Sequence, residues 1–495
     1  MACASRAAGW TPAVRPAAGR RAPPAARPAQ LPPSRAVVGI DLGTSNSCVA
    51  VVSDGEARVL PAADGNSSVP SVVSFTQDSG SMLVGQEALD PVPRYQPARP
   101  AAKDGAQPQL RVSPADCFHS FKRLIGKKLE DVADEAARLT YAVGQGDRGE
   151  ALVYSPTLDD MLSPEELSSF VLAHLKRQVE DVLGEPVTGA VVTVPAHFNQ
   201  AQQGATHAAA QQAGIATVQL LQEPVAAALA YGINGGTDGD TVLVVDVGGG
   251  TFDVSVLQAF EGIMEVLGTA GDANLGGNDF DARLADWLEA ECAAHGVAAP
   301  DHGARFVHEG QAHGWALEAA EAAKVALSRA DAAEVALPGG ASLALSRQQF
   351  EELTSELFQR MANVLEALGD ALFIEWAVRP SDAVPGRPQG SNGSGSGSSG
   401  EQQQQQQDRW APPPRRITQV ALVGQLTRLP SVQQFVARCT GVQPRMTVDP
   451  AEAVALGAAI HAGVLLGELS GVELMDGSYS QDLHDRATGF SGWQP

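Results

Sequence analysis

Two glycine-rich turns in this sequence each follow an aspartate that closes a run of branched apolar residues. One reads Asp41-Leu42-Gly43-Thr44, and the other reads Asp246-Val247-Gly248-Gly249-Gly250-Thr251. Consecutive backbone N–H groups in such a turn can bind phosphate oxygens, and glycine lets the backbone approach a ligand closely. A carboxylate beside a phosphate would repel it unless a cation lies between them. The two aspartates therefore suit a Mg²⁺ ion held through its water shell.

Each turn joins two apolar runs and is predicted to be the turn of a β-hairpin. The runs are 37–40 and 48–52 in the first hairpin, and 242–245 and 254–257 in the second. Either aspartate alone could instead be a turn residue that accepts local N–H bonds. Because both hairpins repeat the same internal order, we favour two related lobes that face one ligand.

Other patterns predict the elements around the hairpins. Ser163 followed by Pro164 is typical of a helix start, 191–195 of a buried strand, and 224–231 of an alanine-rich helix. Apolar residues at steps of three and four predict one amphipathic helix over 350–368. The Gly/Ser-, Gln- and Pro-rich stretch 380–416 is predicted to be an insert that builds no core, before a strand at 417–423.

Composition sets limits on the partners of this 495-residue chain. Its formal net charge is −23, which speaks against a nucleic-acid surface. No apolar run is long enough to predict a membrane span. The five cysteines form no CxxC pair, so we expect reduced thiols and no zinc site.

The first 36 residues differ from the rest because they contain six arginines, many alanines and prolines, and no acidic residue. This bias resembles an organelle transit peptide, and the prolines favour the chloroplast stroma over the mitochondrial matrix. The alternative is a basic tail that is not a targeting signal, in which case the chain would be cytoplasmic.

The motifs together resemble the nucleotide-binding domain of the heat shock protein 70 chaperones. The stretches 38–48 and 246–255 resemble the two phosphate motifs of that family, and further matches follow in the family's order at 121–126, 192–196, 223–232, 275–277, 318–328 and 453–459. Single motifs of this kind occur in sugar kinases and actin, whereas the set is specific to the chaperones. The resemblance implies an α/β, actin-like ATPase fold with two RNase-H-like lobes around a nucleotide cleft.

The resemblance also implies roles for particular residues, with ATP or ADP and Mg²⁺ as ligands. The catalytic residues would be Lys122, Asp41, Glu223, Asp246 and Thr251, with Asp41 and Asp246 holding the metal through water. The nucleotide would contact Gly43, Thr44, Ser45, Gly248, Gly249, Gly250, Gly276, Gly277, Glu321, Lys324, Ser328, Gly424 and Arg428.

Some of these residues have alternatives when they are taken by themselves, and Glu223 could simply be an acid at a helix N-terminus. Lys122 lies in a basic run, and without the family a surface lysine is the preferred interpretation. Glu321, Lys324 and Ser328 share one face of a predicted helix, which could be an exposed stripe with an ion pair. A further residue, Asp253, could orient the attacking water or a neighbouring ligand, or be an acid at a strand edge.

Departures from the family fall first at the adenine end. The family's second glycine in the last nucleotide motif is Gln425 here, and a later family aspartate is Ala451. If position 425 requires a positive φ, glutamine costs about 1–2 kcal/mol, which weakens ATP binding roughly tenfold. Arg428 remains available to stack on adenine. We therefore predict ATP binding that is weaker than is usual in the family.

A second group of departures touches communication with partners. The family's tyrosine after the switch proline is His197, which we expect to be packed, and its arginine eight residues after that proline is Gln203. Gln219 and Gln222 replace residues that the family uses with J-domain partners, so such a partner is not expected. The linker at 472–476 contains Glu473, whose charge opposes burial. A nucleotide exchange factor is kept as a candidate partner.

The expected domains are a transit peptide (1–36), lobe I (37–237), lobe II with the insert (238–445), a return to lobe I (446–468) and an irregular tail (469–495). Residues after 476 are too few for the family's peptide-binding domain. We expect ATP binding with slow Mg²⁺-dependent hydrolysis and a role in protein folding or its regulation. The alternatives are a catalytically silent ATP-binding regulator of other chaperones and, with less support, a small-molecule kinase of the same superfold.

Overall fold

A computed structural model of the chain describes residues 36–62, 64–89, 112–233, 239–260, 263–297, 314–386, 413–467 and 469. The predictions for the first 35 residues and for the linker at 472–476 lie outside these ranges. All described residues belong to one compact unit.

Eighteen strands are described. They are β1 Ala36–Asp41, β2 Asn46–Ser53, β3 Glu56–Val59, β4 Val69–Pro70, β5 Val73–Thr76, β6 Met82–Val84, β7 Val112–Phe118, β8 Val143–Gln145, β9 Ala151–Ser155, β10 Asp160–Leu162, β11 Val187–Val194, β12 Thr217–Gln222, β13 Asp240–Val247, β14 Phe252–Phe260, β15 Ile263–Asp272, β16 Ala332–Ala336, β17 Ser342–Ser346 and β18 Gln419–Val423. Two larger sheets organise the fold, and three small antiparallel sheets surround them.

Four strands of the first sheet, β11-β1-β2-β3, have the same order as the four strands β18-β13-β14-β15 of the second. The first sheet runs β12-β11-β1-β2-β3, and the second runs β15-β14-β13-β18. In both, a central strand pairs antiparallel with the strand that follows it and parallel with a strand from later in the chain. This shared order confirms that the sequence repeat is a repeat of structure.

Both predicted hairpins are present and end in equivalent ways. Asp41 lies opposite Cys48 in the first hairpin, and Asp246 lies opposite Asp253 in the second. The branched apolar residues before each aspartate are buried in the sheets. Each aspartate is thus held where its strand ends and the glycine-rich turn begins.

The described α-helices are α1 Gln86–Leu89, α2 Ala133–Ala136, α3 Pro164–Leu183, α4 Gln200–Gln212, α5 Glu223–Ala230, α6 Gly277–Ala294, α7 Gly314–Leu327, α8 Arg347–Leu353, α9 Ser355–Leu372, α10 Pro430–Thr440 and α11 Ala453–Leu465. As predicted, Ser163 caps α3, and it forms a reciprocal capping box with Glu166. The single helix predicted over 350–368 is instead two helices. They are separated at Thr354, whose hydroxyl donates to the carbonyl of Phe350.

Two helices each cover the sheet of the opposite half. Helix α5 follows the last strand of the first sheet but packs against the strands of the second sheet. Helix α11 follows the second sheet but packs against β1 and β2. The helices cross where a Cβ on Gly457 would lie 1.7 Å from the carbonyl oxygen of Ala226. Similarly, a Cβ on Gly39 would lie 2.1 Å from the nitrogen of Ala459, so glycine is needed at both contacts.

The predicted bounds of the insert are too wide. Residues 380–386 and 413–416 have defined positions, and Ala383 and Val384 are buried in the main core of the second half. Arg416 makes a two-nitrogen ion pair with Glu375, and the nitrogen of Arg415 donates to the carbonyl of Phe373. The prediction included these residues because the Gly/Ser and Gln runs beside them dominate the composition of the stretch.

The described cysteines, Cys48, Cys117, Cys292 and Cys439, are free thiols, and all of them are buried. Among the helices of the described ranges, none has both the length and the apolar character needed to cross a membrane.

Candidate functional site

A cleft of about 1340 Å³ separates the two larger sheets. Both glycine-rich turns, helix α7 and the turn after β18 line it. All residues predicted for the site are among its lining residues except Gly276, which lies directly behind the second turn. The structure therefore brings together segments from distant parts of the sequence.

One end of the cleft contains a cluster of carboxylates around a buried lysine. Asp41 is the last residue of β1, Asp246 is the last residue but one of β13, and Glu223 is the first residue of α5. Lys122 lies in a 3-10 turn, Phe121–Arg123, where it is 6% exposed and its Nζ donates to Oε1 of Glu223 at 2.6 Å. The surface interpretation of Lys122 is therefore wrong. A basic run in sequence hid one lysine that points inward.

The carboxylates of this cluster repel one another. Burial raises the pKa of Asp41 to about 7, helped by the charge of Glu223 and opposed by Lys122. Burial also raises the pKa of Asp246 well above its ordinary value, with Glu223 and Asp253 contributing. For Lys122, burial acts to lower the pKa, but Glu223 and Asp41 outweigh it and the net pKa is raised. The site thus holds an excess of negative charge that one lysine does not balance.

This donor set fits a hydrated divalent cation. The oxygens of Asp41, Asp246 and Glu223 are hard ligands of the kind that Mg²⁺ prefers, and Mg²⁺ keeps several waters when few carboxylates are available. Across the described ranges, no group of three His, Cys, Asp or Glu side chains is arranged to chelate a metal directly. The raised pKa values show that added positive charge would be favourable at this end of the cleft.

The two glycine-rich turns approach each other across the cleft. A Cβ on Gly249 would lie 2.8 Å from the hydroxyl of Ser45, and one on Gly43 would lie 2.0 Å from the carbonyl oxygen of Asn46. Behind the second turn, a Cβ on Gly276 would lie 2.5 Å from the nitrogen of Gly250. Gly43 and Gly276 are therefore required by close backbone packing, whereas Gly249 lies against a side chain of the first turn.

Arg123 is a cleft residue to which the sequence analysis gave no role. Its Nη1 donates to Glu135 at 2.6 Å, and its Nη2 donates to the carbonyl of Gly250 at 2.7 Å. The side chain thus links the first half of the chain to the second phosphate turn. Its position beside Lys122, in a motif that resembles the family's, was the only hint of a role for Arg123 in the sequence. Its partner Gly250 lies 127 residues away, so the contact itself could not be predicted.

The opposite end of the cleft is formed by helix α7. Glu321 and Lys324 lie on the helix, and Ser328 follows its last residue. Nζ of Lys324 donates to Oδ2 of Asp281 at 2.6 Å and to the carbonyl of Gly277 at 3.0 Å. Burial raises the pKa of Asp281 to about 6, although Lys324 opposes the shift. Asp281 was missed because nothing in its local sequence indicates the ion pair.

The turn after β18 corrects the expectation of strain at Gln425. Gly424 has a φ of +82°, whereas Gln425 begins a 3-10 turn, Gln425–Arg428, and does not have a positive φ. The predicted cost of about 1–2 kcal/mol therefore does not arise. Arg428 donates through Nη2 to both carboxylate oxygens of Asp449 at 2.6 Å, so this pair fixes a guanidinium at the cleft wall.

His197 is not packed as expected. Its side chain is 53% exposed, and its Nδ1 lies 3.7 Å from Oδ1 of Asp253. Burial raises the pKa of Asp253, and the charge of His197 acts in the opposite direction. Both residues line the cleft close to the carboxylate cluster.

Two equivalent sheets that face each other, each with a strand-end aspartate and a glycine-rich turn, define a two-lobed nucleotide-binding fold of the actin-like class. The family model for Hsp70 protein matches residues 37–378 and 412–480. The chain therefore belongs to the Hsp70 family and has its actin-like ATPase fold. The unmatched interval contains the Gly/Ser and Gln runs of the insert.

Individual relatives agree with this assignment. The chain is 38% identical to chaperone protein DnaK 1 of Synechococcus over 89% of its own length and 51% of the relative. It is 37% identical to chloroplastic heat shock 70 kDa protein 6 of Arabidopsis thaliana, over 89% of this chain and 54% of that one. The stromal 70 kDa heat shock-related protein of Pisum sativum is 36% identical, over 90% and 55%. The chain thus spans about half the length of these curated relatives.

Proposed function

We propose that this chain binds ATP and hydrolyses it slowly to ADP and phosphate in the presence of Mg²⁺. The observation that carries the proposal is the cluster of Lys122, Glu223, Asp41 and Asp246. Each of its aspartates lies at the equivalent end of one of two facing hairpins. Family membership supports the same activity.

The chain's own groups suit phosphoryl transfer to water. The turns offer backbone N–H groups and the hydroxyls of Thr44 and Thr251 to phosphate oxygens. Lys122, held by Glu223, supplies positive charge where charge develops on the transferred group. Mg²⁺, when bound, would neutralise phosphate charge. Asp253 faces the cleft and is placed to accept a hydrogen bond from water.

The test is phosphate release in a single turnover, comparing the wild type with Lys122→Ala. We expect the variant to be slower by on the order of 10²–10³-fold, as when one group that stabilises transition-state charge is removed. Equal background rates in both proteins would leave ATP hydrolysis without support. In addition, a calorimetric titration that detects no ATP or ADP affinity below about 1 mM would contradict nucleotide binding itself.

A silent ATP-binding regulator is the second candidate. The residue at the family's J-domain-contacting arginine is Gln219, and its Nε2 lies 3.1 Å from Nε2 of His461 on α11. This side chain is thus engaged within the protein. A regulator of this kind would therefore act on its partners through other surfaces, such as one for a nucleotide exchange factor. The single-turnover experiment separates the two candidates, because a regulator binds ATP without releasing phosphate.

We further propose a role in protein folding or its regulation in the chloroplast stroma. The names of two relatives place those proteins in the chloroplast, and the arginine-rich first 36 residues suit such an address. A fluorescent protein fused after the full chain should enter chloroplasts. A fusion that lacks residues 1–36 should stay outside, and import of both fusions would contradict the role given to this segment.

A further inference from the structure

A second, much smaller cavity lies behind the carboxylates. Its volume is about 20 Å³, and its lining residues include His197, Glu223, Asp246 and Asp253. A cavity needs roughly 10–15 Å³ to hold one water, and such a water needs polar partners. This cavity satisfies both conditions, so it suits a single ordered water beside the proposed hydrolytic site.

The chain holds the imidazole of His197 beside this cavity through a short turn. After β11 ends, the nitrogen of Phe198 donates to the carbonyl of Pro195 at 3.1 Å, which turns the chain back at His197. The rings of His197 and Phe198 pack edge to face at 5.6 Å, and Nζ of Lys122 lies 5.9 Å from the centre of the Phe198 ring. The imidazole is therefore fixed relative to the lysine of the cluster.

We propose that His197 is a positioning residue for ATP hydrolysis, which fixes the carboxylate of Asp253 beside the water-sized cavity. The contact from Nδ1 to Oδ1 is 3.7 Å, and the rest of the ring faces the open cleft. Asp253 also faces the negative charge of Glu223, the hydroxyl of Thr251 and, with a smaller effect, the positive charge of Lys122. The inference rests on the proposed function, because it assigns a role within that same hydrolysis.

The electrostatics of Asp253 agree with this geometry. Burial and the charge of Glu223 act to raise the pKa of Asp253. The charge of His197 acts in the opposite direction, as does the hydrogen bond with Thr251. Because the His197 side chain is 53% exposed, its removal leaves no void in the core. A loss of rate would then not reflect a loss of packing.

The experiment measures single-turnover phosphate release and ADP affinity in His197→Ala and His197→Gln. We expect the alanine variant to be slower by about 10–100-fold, the usual effect of removing an outer positioning partner, with ADP affinity within about twofold of the wild type. Added imidazole should restore part of the rate of His197→Ala, since it can enter the space left in the open cleft. The glutamine variant should be slow and unaffected by imidazole, because its side chain fills that space.

The matched control is His207→Ala, a half-buried histidine on α4 that is not among the described residues lining the cleft. It should keep the wild-type rate with and without imidazole. A wild-type rate in His197→Ala, or a slow rate that imidazole does not raise, would overturn the positioning role while leaving ATP hydrolysis in place. A wild type no faster than Lys122→Ala would remove the proposed function and this inference together.

Discussion

Replacing Lys122 by methionine removes the buried cation that faces Glu223, while the length of the side chain is nearly preserved. The two charged atoms are 2.6 Å apart, and the side chains are only 7% and 16% exposed. Removing one partner of a buried pair typically costs about 3–5 kcal/mol, because the other charge is left uncompensated. We expect the lower value, about 3 kcal/mol at pH 8, since Glu223 keeps some contact with solvent. At pH 6 the cost should be smaller, because the pKa of Asp41 is about 7 and its protonation relieves the cluster.

A double-mutant cycle with Glu223→Gln tests this reasoning. The glutamine alone should be close to neutral in stability, because it removes one negative charge from a cluster that has too many. In that background Lys122→Met should cost less, by about 1–3 kcal/mol, which is the coupling expected for residues in contact. The free energy of unfolding is measured in urea by circular dichroism at pH 8, without nucleotide or metal. If Lys122→Met costs the same in the two backgrounds within about 0.5 kcal/mol, the buried pair does not carry the stability assigned to it.

Three further predictions concern single positions. Gly276→Ala should lower ADP affinity by about tenfold, since displacing the backbone at Gly250 by overpacking costs about 1–3 kcal/mol. Gly204→Ala, in open space on a helix, is the control and should leave ADP affinity unchanged. The same ADP affinity in Gly276→Ala and in the wild type would contradict the prediction. Gln425→Gly should lower the unfolding free energy by about 0.5–1 kcal/mol, since there is no strain to relieve; a rise in thermal stability would contradict this. Without nucleotide or metal, the free energy of unfolding should fall as the pH rises from about 4 to about 7. The reason is that folded Asp41, with a pKa of about 7 against an ordinary 3.8, retains a proton that the unfolded chain has lost. Urea unfolding in EDTA should show a smaller fall in Asp41→Asn than in the wild type, and an equal fall would argue against the raised pKa.

The hairpins and their glycine-rich turns could be predicted from sequence because their determinants are local. Strand residues, the aspartate and the turn glycines lie close together along the chain in each case. The repeat of this pattern then predicted the facing arrangement. The positions of Asp41 and Asp246 at equivalent strand ends followed correctly from it.

The contacts that join distant segments could not be predicted in the same way. Arg123 reaches Gly250 across 127 positions, and Lys324 meets Asp281 across 43. Such pairs depend on the tertiary arrangement, and no periodicity in the chain encodes them. Position 425 shows a different limit, since the positive φ considered there belongs to the preceding residue, Gly424. In this turn the glycine at its first position, Gly424, adopts the positive φ, so the residue after it can be glutamine without strain.

The exchange of covering helices has a consequence for dissecting this protein into parts. A fragment that ends before β13 would keep α5 without the sheet it packs on and would leave the first sheet without α11. Neither half is therefore suited to expression as an isolated domain, despite the internal duplication. Where the two helices cross, the absent Cβ of Gly457 lets its backbone approach the backbone of Ala226 directly. A methyl group added at position 457 would therefore push the two helices apart and loosen the contact that joins the halves.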